Sequence, residues 1–289
     1  MPRHAAIAAR LTVPGHAAFA ARLAALVLLL GIWPLGDLPA EETTSWRSRT
    51  IDAAAGSPSP APGSPDGPGA GQEGAPKGGG AKPGKPPAPR PKIGPHGTRR
   101  LTGVSAVALT FDDGPHPTWT PKILEQLRTQ QVKATFCLVG TRVRKNPELV
   151  AQIVREGHTL CNHSWAHDLR LGKKPEAQIR ADLDQTNREI RRAVPGVRIP
   201  FYRQPGGEWT PSVVHVAKAL GMVPLHWDVD PRDWDKPGAP LITKRISTTT
   251  RSGSIVLLHD GGGDRSATLA ACPAVIGELK RRYGVTLLK

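Results

Sequence analysis

Residues 104–140 read "VSAVALTFDDGPHPTWTPKILEQLRTQQVKATFCLVG", and this stretch decides the fold. Residues 104–111 are a short apolar run closed by Asp-Asp-Gly-Pro, which reads as a buried strand. Apolar residues then recur at helical spacing over 120–131, with Thr120 expected as N-cap and Pro121 in the first helical position. Residues 133–140 form a second apolar run. Strand, helix and strand in so short a span imply a parallel pair joined by a right-handed crossover.

The alternation continues to residue 289. A helix is expected over 146–157, capped by Asn146 and stopped by Gly157, then a strand over 158–164. Further helices are expected over 174–194, 210–221, 240–250 and 268–284, separated by strands at 201–205, 222–230 and 253–260, with a last strand at 285–289. About seven strand–helix units in under 200 residues make this an α/β chain and favour a closed or nearly closed (β/α) barrel over an open sheet. Functional residues in such folds sit at the C-terminal ends of the strands, and the polar clusters of this sequence fall there.

The first hundred residues are different in kind. Between Gly56 and Gly97 lie 12 Gly and 12 Pro but, Pro aside, only one apolar residue larger than Ala, Ile93, too little to form a core. Residues 41–97 therefore read as a disordered Pro/Gly-rich linker and residues 98–289 as the folded domain. Before it, Arg3, Arg10 and Arg22 precede an apolar run from about Leu23 to Leu35, so residues 1–40 read as a signal peptide or membrane anchor. The protein is expected to be secreted or cell-surface anchored and monomeric. Its net charge of +15 suits adhesion to an anionic cell-wall polymer or membrane surface. No Lys/Arg run interleaved with aromatics is present, so nucleic acid is not an expected partner. Of the three cysteines, Cys137 and Cys161 can form a disulfide if their strands are neighbours, which leaves Cys272 unpaired.

Five clusters carry chemistry. Asp112 and Asp113 are adjacent carboxylates whose joint ionisation needs compensation. A divalent ion on Asp113 supplies it, leaving Asp112 as general base toward a water held at the ion. His163 and His167 are four apart and complete a two-histidine, one-carboxylate set of the kind that holds catalytic zinc. His259, at the end of an apolar strand, is placed as a general acid, with Asp230 and Asp233 as candidate partners. Arg203 is placed to orient Asp112 or to pair with one of those aspartates. Gly206 and Gly207 can offer N–H groups to an oxyanion, and Trp234 can stack on a sugar. The Gly261–Gly263 run lacks the Lys and Ser/Thr of a phosphate loop, so phosphate binding is set aside.

In the order "TFDDGP", "HSWAH", "RQPGG", "DPRDW" and "LLH", these motifs resemble the NodB-type polysaccharide deacetylases of carbohydrate esterase family 4, over about residues 100–289. The resemblance implies a distorted (β/α) barrel and a metal-dependent hydrolase that removes N-acetyl groups from an extracellular glycan. Peptidoglycan N-acetylglucosamine or a chitin-type oligosaccharide is the implied substrate. O-acetyl xylan, or glycan binding without catalysis, is the alternative. It implies Asp112 as base, Asp113, His163 and His167 as ligands of zinc, cobalt or another divalent ion, and Arg203 as the residue that steers the base. Asp233 tunes His259, the general acid, and Trp234 and Leu257 wall the acetyl pocket. One departure stands out. Gly206 occupies a position where the family carries an aromatic, which keeps the N–H but implies a wider groove.

Overall fold

The computed structural model describes residues 90–289; the expected leader and residues 41–89 of the expected linker lie outside them. Arg90 pairs with Asp228, Ile93 bridges to Arg99, and Pro95–Gly97 form a 3-10 turn. Residues 90–97, the described part of the expected linker, therefore pack against the folded domain.

Six parallel strands form one sheet: β1 (Ala108–Gly114), β2 (Thr135–Leu138), β3 (Thr159–Asn162), β4 (Phe201–Tyr202), β5 (Val223–Pro224) and β6 (Ile255–His259), in the order β5-β4-β3-β2-β1-β6. Just past β5, Val229 bridges to Val256 of β6, so the sheet curls almost into a ring. The nearly closed barrel is borne out with one strand fewer than expected. Residues 285–289 make only a single bridge, Val285 to Val107, and Leu288 turns into the inner cluster of the barrel.

The helices are α1 (Thr120–Thr129), α2 (Gly140–Lys145), α3 (Pro147–Arg155), α4 (Glu176–Ala193), α5 (Pro211–Ala219), α6 (Ala239–Thr249) and α7 (Ser266–Tyr283). The short α2 has no apolar period long enough to betray it in the sequence. One expected cap is corrected. Thr120 is the first residue of α1, and its hydroxyl accepts from His116 N–H and donates to Asp260 instead of capping. Asn146 does stand at the N-cap of α3 as expected, but without a side-chain cap bond; its amide donates to the Arg142 carbonyl. Thr210 does cap α5, accepting from Val213 N–H. None of the helices among the described residues is long and apolar enough to cross a membrane.

Period-two alternation along the strands divides the core and places the site. Leu109, Phe111, Phe136, Leu138, Leu160, Tyr202, Val256 and Leu258 face outward and pack with Ile123, Leu127, Ile153, Leu183, Val213 and Ile276 of the helices. The intervening residues Ala108, Cys137, Cys161, Phe201 and Ile255 form a smaller cluster inside the barrel, with Leu225 and Leu288. Each fully buried Leu, Ile or Phe contributes about 1.5–3 kcal/mol. Cys137 and Cys161 stand in register on β2 and β3 and are joined by a disulfide, while Cys272 is free and buried. Further along the same inward face, two residues past Cys161 and Phe201 and four past Ala108 and Ile255, the apolar lining gives way to His163, Arg203, Asp112 and His259.

Candidate active site

Neighbouring residues on a strand point to opposite faces, so Asp112 and Asp113 ought to diverge. They do not, because β1 carries an irregularity between Asp112 and Gly114 in its pairing with β2. Asp113 is the bulged residue and takes the left-handed conformation, φ 72°. The bulge turns its carboxylate back into the barrel mouth. Two more non-glycine residues with positive φ, Ser164 (64°) and His167 (58°), bend the loop after β3 so that both histidines reach the same point. Buried Asn162 anchors that loop: its Oδ1 accepts from Ser164 N–H at 2.9 Å, and its amide donates to Leu183 O and Asn187 Oδ1.

Asp113 Oδ1 lies 3.5 Å from His163 Nε2 and 3.2 Å from His167 Nε2. Among the described residues these three offer ligand atoms within 4.8 Å of one another. Two observations fit them to a divalent cation. Asp113 Oδ1 is buried with no hydrogen-bond partner, which is costly for a carboxylate unless a cation lies beside it. His163 spends Nδ1 on the Arg203 carbonyl at 2.8 Å, which assigns the proton there and leaves the Nε2 lone pair facing Asp113. Burial and the neighbouring His163 also hold His167 below the ordinary histidine range, as a neutral ligand requires.

Beside this set, Arg203 is fully buried and donates Nη1 to Asp112 Oδ1 at 2.7 Å. The same nitrogen reaches Thr110 Oγ1 at 2.8 Å, Nε donates to Leu225 O, and Nη2 to His226 O. Of its two expected partners, the structure gives Arg203 Asp112. Asp112 Oδ2 is left over, 3.6 Å from His163 Nε2. Residue register sets Asp112 directly beside His259 on β6. His259 Nδ1 donates to Asp233 Oδ1 at 2.7 Å, and its backbone N–H to Asp233 Oδ2 at 3.0 Å. Burial lowers the imidazole pKa, but the hydrogen bond and charge of Asp233, with Asp113 and Asp112, overcome this and raise it to about 9. Asp233 and not Asp230 is therefore the partner; Asp230 accepts from Arg232 N–H at the rim. Beneath the site, Asp260 is fully buried with only the Thr120 hydroxyl on it, and burial raises its carboxyl to about 7.

A cleft of about 520 Å³ opens over these groups. Leu257 and Trp234 line it as expected, Leu257 buried and Trp234 42% exposed with the Arg232 guanidinium over its ring. Gly206 sits at its edge with φ 63°. Gly207 N–H is spent on Gln204 O, whereas Gly206 N–H has no acceptor among the described residues and remains available. The wider groove implied by the missing ring is only partly realised: a side chain begun at 206 would meet Leu169 Cδ2 at 2.9 Å, so Leu169 stands over that space. Leu169, Trp227 and Arg265 also line the cleft and were not foreseen. Trp227 lies in the stretch 222–230 read as strand, where its aromatic ring beside His226 was the available signal. Arg265 follows the Gly261–Gly263 run that was set aside.

A family description, polysaccharide deacetylase, matches residues 100–225. The chain is 40% identical over 179 residues to the peptidoglycan-N-acetylglucosamine deacetylase of Bacillus cereus, covering 61% of this chain and 82% of that one. It is also 40% identical over 171 residues to a chitooligosaccharide deacetylase of a Bradyrhizobium species, covering 58% and 78%. Among solved structures, a CE4 family pseudoenzyme from Bacillus anthracis superposes with a TM-score of 0.59 at 31% identity, over 64% of each chain.

Proposed function

The chain belongs to the polysaccharide deacetylase family, and from that premise we propose that it is an exported, metal-dependent hydrolase that removes acetyl groups from peptidoglycan N-acetylglucosamine. The observation that carries the reading is the convergence of Asp112, Asp113, His163, His167 and His259 on one cleft, with Arg203 and Asp233 already bonded to Asp112 and His259.

Asp113, His163 and His167 are the residues that would hold zinc, the ion that two imidazoles and a carboxylate suit. A divalent ion bound there supplies Lewis-acid chemistry, polarising the acetamide carbonyl and acidifying water. Asp112 keeps Oδ1 on Arg203 and accepts the attacking water's proton on Oδ2. Gly206 N–H donates to the carbonyl oxygen as negative charge develops on it. His259, with Nδ1 tied to Asp233, releases the proton on Nε2 to the departing amine, giving acetate and a free amino sugar. Leu257 and Trp234 exclude water around the acetyl methyl. The Cys137–Cys161 disulfide supports an oxidising compartment, and the charge of +15 supports a phosphate-rich wall as surroundings.

The likeness to a pseudoenzyme keeps a non-catalytic, glycan-binding reading in view. Acetate release decides between them, measured on peptidoglycan and chitopentaose after chelation and add-back of zinc or cobalt. Metal-restored release from peptidoglycan is the expected result, with Asp112→Asn lowering kcat by about 10²–10⁴-fold. Stoichiometric metal binding without release from either substrate would overturn the hydrolase reading, and release from chitopentaose alone would replace the substrate.

A further inference from the structure

Two buried polar side chains at the start of α7 remain unassigned. Thr268 is 1% exposed, and its Oγ1 donates to Asp233 Oδ2 at 2.8 Å. Arg265 is 3% exposed; its Nη1 donates to the backbone carbonyl of Asp233 at 3.3 Å and its Nε to Gly261 O at 2.6 Å. Both carboxylate oxygens of Asp233 and its own carbonyl are therefore occupied: Oδ1 by His259 Nδ1, Oδ2 by His259 N–H and Thr268, and the carbonyl by the Lys236 N–H of its own turn and by Arg265.

Asp233 needs such holding. It lies on a three-residue 3-10 turn, Asp233–Asp235, entered through Arg232 and left through Lys236, both with left-handed φ (56° and 55°). Asp233 is the one buried residue of that turn, so the turn has little apolar packing to fix it. A carboxylate with one anchored oxygen still swings about its side-chain torsions. With both oxygens and the backbone held, the direction of the bond to His259 Nδ1 is set, and with it the aim of Nε2.

We propose that Thr268 and Arg265 are positioning residues that clamp Asp233 from the first turn of α7 and so aim His259 at the leaving nitrogen. The proposal rests on His259 being the proton donor. It goes further in naming α7 as the element that holds the donor's partner.

A double-mutant cycle on the full-length, zinc-loaded protein tests it. Thr268→Val, Thr268→Ser and Arg265→Lys are each made alone and combined with His259→Ala, and acetate release is followed on the better of peptidoglycan and chitopentaose. Thr268→Val should lower kcat about 10-fold with KM changed less than about 2-fold, a fraction of what a general acid contributes. Thr268→Ser, which keeps the hydroxyl, should stay within about 2-fold of the parent. In the His259→Ala background Thr268→Val should cost nothing more. A readout independent of turnover is the His259 Nδ1–H resonance in ¹⁵N-histidine-labelled protein, which should shift or broaden in Thr268→Val and not in Thr268→Ser. Equal losses in both backgrounds, or an unmoved resonance with unchanged kcat, would overturn the clamp. Full activity of His259→Ala alone would instead remove the donor assignment, a separate failure visible in that single variant. Should Thr268→Val not fold, Arg265→Lys carries the same cycle with the same expected sign.

Discussion

Asp112 and Asp113 share a cleft because a single backbone angle at Asp113 has the sign that L-residues avoid, costing on the order of 1–3 kcal/mol. That cost places a carboxylate where two histidines wait and leaves Asp112 free for Arg203. At the same scale, Asp233 gives His259 its proton affinity. An imidazole raised to about 9 stays protonated through neutral pH, so kcat should hold and then fall as pH rises toward 9. Asp233→Asn removes the negative charge that helps raise it, so the alkaline fall should move to lower pH, read from kcat between pH 6 and 10. The stability side has the same sign. A folded pKa above the unfolded value of about 6.5 contributes stability that is full below 6.5 and lost as pH rises through 9. Residue identities at these positions were legible from motif order. The bulge was not, because nothing in "TFDDGP" states the sign of φ at Asp113.

The elements were legible where they are long. Strands β1, β2 and β6 and helices α1, α4 and α7 announce themselves by apolar period, and the inward face of the strands predicts which residues meet. Strands β4 and β5 are two residues each, too short to carry a period, and Leu169, Trp227 and Arg265 come from loops, where no period exists. The side-chain hydrogen bonds of Thr120 and Asn146 go to a partner distant in the sequence and to the preceding helix, which no local cap rule anticipates. Pairing of β2 with β3 makes the disulfide an element-scale device: it ties the strand beside Asp112 to the strand that leads into His163. Replacing Cys137 and Cys161 together by Ala should cost about 2–4 kcal/mol in urea unfolding, the usual return on closing a loop of this length. A midpoint unchanged from the parent would deny the bridge that role.

For the molecule as a whole, the site couples chemistry to folding. Asp113 stands on β1 and His163 and His167 on the loop after β3, and these meet across β2 only when the sheet has formed, so a divalent ion held by all three binds the folded chain alone. Zinc at about a hundredfold excess over Kd should raise the unfolding free energy by about 2.7 kcal/mol, seen as a higher Tm that chelation reverses. Asp113→Asn should abolish most of that rise; a rise of equal size in that variant would move the ion elsewhere.

Arg90 is fastened to Asp228, Ser254 and the Ser252 carbonyl, at the opposite end of β6 from His259. A force applied at Arg90 would therefore load the start of β6 and the loops beside it, and the aim of His259, at the strand's other end, would be spared.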